Sequence, residues 1–217
     1  MGLIWNIKGT YTAHMTSQLL SRHSHREAAR AAMPFLGDLS LPLARAHEIC
    51  GNARRFLACV IAARLSGPVF WIAPGWQTDR LNPEAVGRLF DPGRITFLEP
   101  ERAEDLLWCM EEVLRAGIAP LVVADLPGPP GLTSVRRLHL AAETGAAEGS
   151  VRPLALLLTP GDGGAPGVES RWHIAGQHEA AGPRRWQLER RRARTAPQKR
   201  WHMVPRGGQF RLEPLAE

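Results

Sequence analysis

Short, continuously apolar runs, each bounded by turn-forming residues, constrain the fold of this chain more than any other feature. Leu121 to Asp125 (LVVAD), Leu154 to Leu158 (LALLL) and Pro68 to Ala73 (PVFWIA) carry almost no polar side chain, and Ile95 to Leu98 (ITFL) reads as a further strand. A strand with one wet face alternates apolar and polar residues; one without a wet face has to be covered on both sides. Between these runs lie segments with helical spacing. Phe56 to Leu65 (FLACVIAARL) is an apolar helix. Glu101 to Ala116 places Leu106, Met110, Val113 and Leu114 on one face with its acids outside, and Gly117 ends it. Thr133, with Leu138 and Leu140, opens another helix after the Pro127 to Gly131 loop. The expectation is an α/β fold with a mostly parallel sheet flanked by helices.

The style changes after Ala165. Ser170 to Ala175, Arg185 to Arg190 and Arg200 to Val204 alternate, and Gly207-Gly208 marks a hairpin turn. These segments are expected as antiparallel edge strands, making a C-terminal antiparallel extension. Gly161 to Gly167 (GDGGAPG) joins the two halves and reads as a flexible loop rather than an anion cradle. At the other end, residues 1–35 are polar and poorly patterned, with Ser17 to Ala32 suited to a short helix. Met15 is an alternative start to Met1. The expected organisation is therefore an N-terminal segment 1–35, a core 36–178 and a basic extension 179–217.

At 217 residues the chain suits one domain with a sizeable core. No apolar run approaches the roughly 20 residues of a membrane-spanning helix. The N-terminus lacks the apolar stretch of a secretory signal. Cys50, Cys59 and Cys109 are widely spaced, the eight histidines are scattered, and no Gly-x-Ser-x-Gly occurs, so neither a metal site nor a serine nucleophile is expected. These features point to a reduced, cytoplasmic protein. The net charge of +6 is concentrated at one end. Gly182 to Arg206 holds nine Lys or Arg and one acid, Glu189, a balance of +8 that leaves 6 − 8 = −2 elsewhere. An acidic or polyanionic partner for that end is the implied chemistry.

His47-Glu48-Ile49-Cys50-Gly51, followed by Val60-Ile61-Ala62-Ala63, resembles the start of the RecA recombinase core, where a short strand leads into the phosphate loop and its helix. The resemblance runs collinearly from about residue 38 to 175. It implies a RecA-like fold with its chemistry stripped. A phosphate loop needs Gly-x-x-x-x-Gly-Lys-Ser/Thr so that backbone N–H groups wrap the phosphates and a Lys reaches them. Here Gly51-Asn52-Ala53-Arg54-Arg55-Phe56 runs straight into the helix. Pro74-Gly75-Trp76 stands where the recombinases carry a water-polarising Glu. Gly51 and Asp125 are relic positions, Asp125 being either a former Mg²⁺ ligand or a cap for the loop that follows it. Neither cofactor nor catalytic residue is expected.

Arg171-Trp172-His173-Ile174, Arg185 to Arg194 (RWQLERRRAR) and Lys199 to Val204 (KRWHMV) resemble the ending of the ImuA family, RecA-like mutagenesis accessory proteins. That resemblance implies a role in SOS-induced translesion synthesis. The partners it implies are RecA, an ImuB-type Y-family polymerase homologue and an error-prone C-family DNA polymerase, with DNA reached indirectly. The candidate contact residues are Arg185, Trp186, Arg190, Arg191, Arg192, Arg194, Lys199, Arg200 and Trp201. Strand alternation puts Trp186, Leu188, Arg190 and Arg192 on one face and Arg185, Gln187, Glu189 and Arg191 on the other. Arg with Trp suits interface hot spots or single-stranded nucleic acid. The same residues also serve as core anchors and as charges that blunt an edge strand. Two further functions stay open, a SulA-like cell-division inhibitor and a residual nucleotide-binding ATPase.

Overall fold

A computed structural model describes residues 31–177, 182 and 184–215. The apolar runs become strands β4 (Val69–Ile72), β5 (Ile95–Leu98), β6 (Leu121–Asp125) and β7 (Leu154–Thr159), and the segment that the RecA resemblance implied as a strand becomes β3 (Ala46–Cys50). Every residue of β3, β6 and β7 is buried, as covering on two faces requires. With β8 (Ser170–Gly176), β9 (Trp186–Ala193), β10 (Lys199–Arg206) and β11 (Gln209–Pro214) they form one nine-stranded sheet, ordered β11-β10-β9-β8-β3-β7-β6-β4-β5. From β3 to β5 all pairings are parallel; from β8 to β11 all are antiparallel.

Helices cover both faces. Helix α1 (Arg54–Ala62) lies on one side and buries Leu57 to Ala62. The short α2 (Pro83–Gly87), started by Asn82 and Pro83, adds Val86 to that core. Helices α3 (Ala103–Ala116) and α4 (Leu132–Glu148) lie on the other side, over Ala46, Val122, Ala124 and Leu157. They approach closely because Gly145 has no side chain: a Cβ there would sit 1.9 Å from the Leu114 carbonyl oxygen. The helices and strands follow the sequence periodicity to within a few residues. Among the described residues no helix is long and apolar enough to cross a membrane.

Several expectations need correction. Ser170 to Ala175 is not an antiparallel edge strand: β8 pairs in parallel with β3 and antiparallel with β9, so it is the seam between the two halves of the sheet. Alternation identified one mixed-polarity face but carried no information about strand direction. The poorly patterned start also contains structure. Strands β1 (Ala32–Leu36) and β2 (Leu39–Pro42) make a separate hairpin that seats Met33, Phe35, Leu36 and Leu41 in the α1-side core. Ala32, expected at the end of a helix, opens β1; most of Ser17 to Ala32 lies outside the described residues. The acids of α3 are not all outside, because Glu111 is buried against Arg115 and, at 2.8 Å, Arg137.

Candidate functional site

Two regions hold the residues singled out from the sequence. The first lies at the carboxyl ends of β3, β6 and β7, where open α/β sheets receive ligands. Gly51 turns the chain there at φ 95°, and a Cβ would meet the Ile174 carbonyl oxygen at 2.2 Å, so glycine is required. Its N–H donates to the Gly161 carbonyl at 3.0 Å, Ala53 N–H donates to the Ile174 carbonyl at 3.3 Å, and the Asn52 side-chain oxygen accepts from Gly176 N–H at 3.0 Å. The turn is therefore tied to β8, and two N–H groups of this turn already serve the protein itself.

Among the described residues Asp125 caps no loop. Its carboxylate, 1% exposed, pairs with Arg54 at 3.4 Å and with Arg55, which also reaches Asp79 at 2.5 Å. Burial alone would lower the Arg55 guanidinium, but Asp125 and Asp79 outweigh it and hold the group above its ordinary value. Two arginines thus turn inward onto Asp125. Beside them lies a groove of about 430 Å³ lined by Gly51, Asn52, Arg54, Gly161, Asp162 and His173. The buried Nδ1 of His173 finds no partner in it among the described residues. Burial, then Arg191, lowers the pKa of that imidazole.

Beneath the groove, the Gly161 to Gly167 loop proves to be a cradle after all, for an anion of the protein's own. Glu48, fully buried in β3, accepts hydrogen bonds from Thr159 Oγ1 (2.8 Å), Gly164 N–H (2.8 Å) and Ala165 N–H (3.0 Å), and pairs with Arg171. Gly163, at φ 74°, leaves room for the carboxylate: a Cβ would come within 2.8 Å of it. One residue earlier, His47 links Ser170 Oγ (2.7 Å) to the Pro42 carbonyl (2.9 Å), and Trp172 Nε1–H donates to the same Oγ at 2.8 Å. One proton arrangement satisfies every atom. Ser170 O–H donates to Nδ1 of a neutral His47, whose Nε2–H donates to Pro42. Burial lowers the His47 pKa to about 4, in keeping with that neutral form. Glu48 and His47 were not singled out as interacting groups. Their signal was present, since an acid and a histidine inside a buried strand demand partners. The buried thiols of Cys50 and Cys59 are pushed up to about 11 and about 12, chiefly by burial, and so stay protonated.

The second region is the basic end. Trp186 and Trp201 are 7% and 4% exposed: Trp186 stacks on Phe56 at 4.4 Å, and Trp201 on Trp172 at 6.2 Å. Both are core anchors, so neither offers a free ring face to a partner. A bulge in the β8–β9 ladder changes the facing of the arginines. Trp172 pairs with Arg190 but Arg171 with Arg192, leaving Arg191 as the extra residue. Arg192 therefore lies on the Arg171 side and not, as simple alternation predicts, with Trp186 and Leu188. Carboxylates answer much of the positive run. Arg191 meets Asp162 (2.8 Å) and Glu189 (3.1 Å), Arg200 meets Glu189 (3.4 Å), and Arg194 meets Glu169 (3.6 Å). Burial opposes the lowering of Glu189's pKa, and its bonds to Arg191 and Gln187 prevail. Arg190, Arg191, Lys199 and Arg200 come together around a cavity of about 710 Å³. Arg185 and Trp186 stand apart, about 13 Å or more back along β9 at roughly 3.3 Å per residue.

No protein-family model matches this chain, and no curated protein does. Among solved structures, SulA from Pseudomonas aeruginosa aligns with 54% of this chain and 98% of its own, at 21% identity and a TM-score of 0.43. A TM-score of that size establishes neither a shared fold nor a shared role.

Proposed function

We propose that this protein is a non-catalytic adaptor in SOS-induced, error-prone translesion DNA synthesis. In this reading it is a degenerate RecA-like domain of the ImuA kind, which docks on RecA, on an ImuB-type Y-family polymerase homologue or on an error-prone C-family polymerase. The observation that carries the reading is the inward turn of Arg54 and Arg55 onto Asp125. Phosphoryl transfer relies on backbone N–H groups, a free cation and a metal-holding carboxylate all facing the triphosphate. Here the loop is short, its Gly51 and Ala53 N–H groups are bonded to the protein, and cation and carboxylate neutralise each other. A scaffold kept without that chemistry is suited to binding. The Trp/Arg ending supports the choice of family, with Trp172, Trp186 and Trp201 as structural anchors and the arginines at the surface.

The test is capture of purified RecA, the ImuB-type protein and the error-prone polymerase on the immobilised full-length chain, beside equilibrium binding of ATP at millimolar concentration. Removing residues 182–217 is the wrong perturbation, because it takes Trp186, Leu188, Trp201 and Met203 out of the core. The informative variant is R192Q/R194Q/R200Q, at three exposed positions. Capture without ATP binding, weakened in the variant, supports the adaptor. Clear ATP binding, or capture of the tubulin-like division protein instead of these three, overturns it.

A further inference from the structure

Arg190 and Lys199 differ from Arg191, Arg194 and Arg200 beside them. They sit directly opposite each other across β9 and β10, and like charges so placed repel. Among the described residues no carboxylate pairs with either, although Arg191, Arg194 and Arg200 each have one. Both cations lie over tryptophan rings. The Arg190 guanidinium lies 5.8 Å from the Trp172 ring centre and 5.4 Å from that of Trp201, and Lys199 Nζ lies 5.6 Å from that of Trp201. Arg190 Nε donates to the Pro197 carbonyl at 2.8 Å, which leaves both terminal nitrogens for a two-pronged contact. Two cavities, of about 710 and 470 Å³, meet at this pair, and Leu215, Leu39, Phe210 and Pro214 supply apolar wall.

A repelling pair of cations at the junction of two cavities calls for an anion. A nucleic-acid strand fits poorly. It needs a row of uncompensated cations and open rings for stacking, whereas Arg191, Arg194 and Arg200 each meet a carboxylate and Trp172 and Trp201 are 2% and 4% exposed. A single carboxylate flanked by apolar side chains suits both the charge and the lining. We propose that Arg190 and Lys199 form a carboxylate-binding pair that receives an Asp or Glu from an acidic segment, interspersed with apolar residues, of a protein partner. The adaptor reading contributes the choice of a protein ligand; the pocket itself stands on the geometry.

The experiment is fluorescence anisotropy on the full chain, with a fluorescein-labelled peptide of alternating Glu and Leu and, separately, labelled oligothymidylate. The peptide binds the unaltered protein more tightly than the oligonucleotide. R190Q/K199Q weakens it by about tenfold or more, R190K/K199R restores most of the affinity, and R88Q, at an exposed arginine that lines neither cavity, leaves it unchanged. Near-ultraviolet circular dichroism checks that the tryptophan cluster survives each substitution. No peptide binding, an equal loss in R88Q, or tighter oligonucleotide binding lost in R190Q/K199Q overturns the proposal. Capture of RecA or a polymerase with no peptide binding removes the pocket and leaves the adaptor; peptide binding without capture does the reverse.

Discussion

Replacing Glu48 with glutamine leaves the shape of the side chain almost unchanged and removes its charge. The carboxylate receives Thr159 Oγ1, Gly164 N–H and Ala165 N–H on one oxygen, and Ala165 N–H (3.1 Å) and Arg171 on the other. An amide keeps one acceptor. If its oxygen faces the loop, its NH₂ group confronts the Arg171 guanidinium, donor against donor, in a site with no exposure of residue 48. Arg171, with a side chain 20% exposed, then has no carboxylate partner among the described residues. Removing one partner of a buried, hydrogen-bonded pair costs about 3–5 kcal/mol. With a urea m-value of about 3 kcal/mol/M for a chain of this size, the unfolding midpoint falls by about 1–2 M. The double variant E48Q/R171Q should be less destabilised than the sum of the single variants by at least about 1 kcal/mol, because the stranded guanidinium is gone. Urea unfolding followed by tryptophan fluorescence gives all four values. An E48Q loss below about 1 kcal/mol, or strict additivity, would refute the cradle.

The neutral His47 carries a pH signature. Its folded pKa of about 4 lies below the unfolded value of 6.5, so the unfolded chain binds the extra proton between those limits. Stability therefore rises with pH across that window, and about 3 kcal/mol is lost as pH falls from 6.5 to 4. The difference between wild type and H47Q in urea midpoints should narrow correspondingly, and a constant difference would contradict the assignment. D125N leaves Arg54 and Arg55 facing an amide; it should cost about 3 kcal/mol in thermal unfolding, lower Tm by roughly 6–12 °C, and confer no ATP binding. G145A drives a methyl into the Leu114 carbonyl and should cost at least about 1–3 kcal/mol by calorimetry, whereas the same change at Gly128, where nothing lies within 4 Å of the added atom, should be nearly neutral.

Helices α1, α3 and α4 and strands β4 to β7 were legible in the sequence, because helical periodicity and continuous apolar runs are signals that short-range reading detects; α2 was not expected, and β3, with His47 and Glu48 inside it, was implied only by the RecA resemblance. LVVAD and LALLL could be little else, and Gly117 does end α3, at φ 57°. The hairpin turn at Gly207-Gly208, with φ of 57° and 77°, was equally local. The β1–β2 hairpin was missed, since its strands are only five and four residues long and carry Pro34 and Pro42, which read against a strand, and contact with the distant α1-side core is what makes its apolar residues structural. The direction of β8 was not legible either, because alternation is the same whether a strand runs with or against its neighbour. Arg192 was placed on the wrong face by one extra residue at Arg191, a register event that depends on the partner strand. Above all, the sequence specified which charges the chain carries, while the tertiary structure decided which of them cancel. Glu48 meets Arg171 and the loop at 164–165, Asp125 meets Arg54 and Arg55, and Arg191 meets Asp162 across separations of about 30 to 120 residues. Electrostatic pairing acts over a few ångströms in space, and such distances exist only once the sheet has brought its strands side by side.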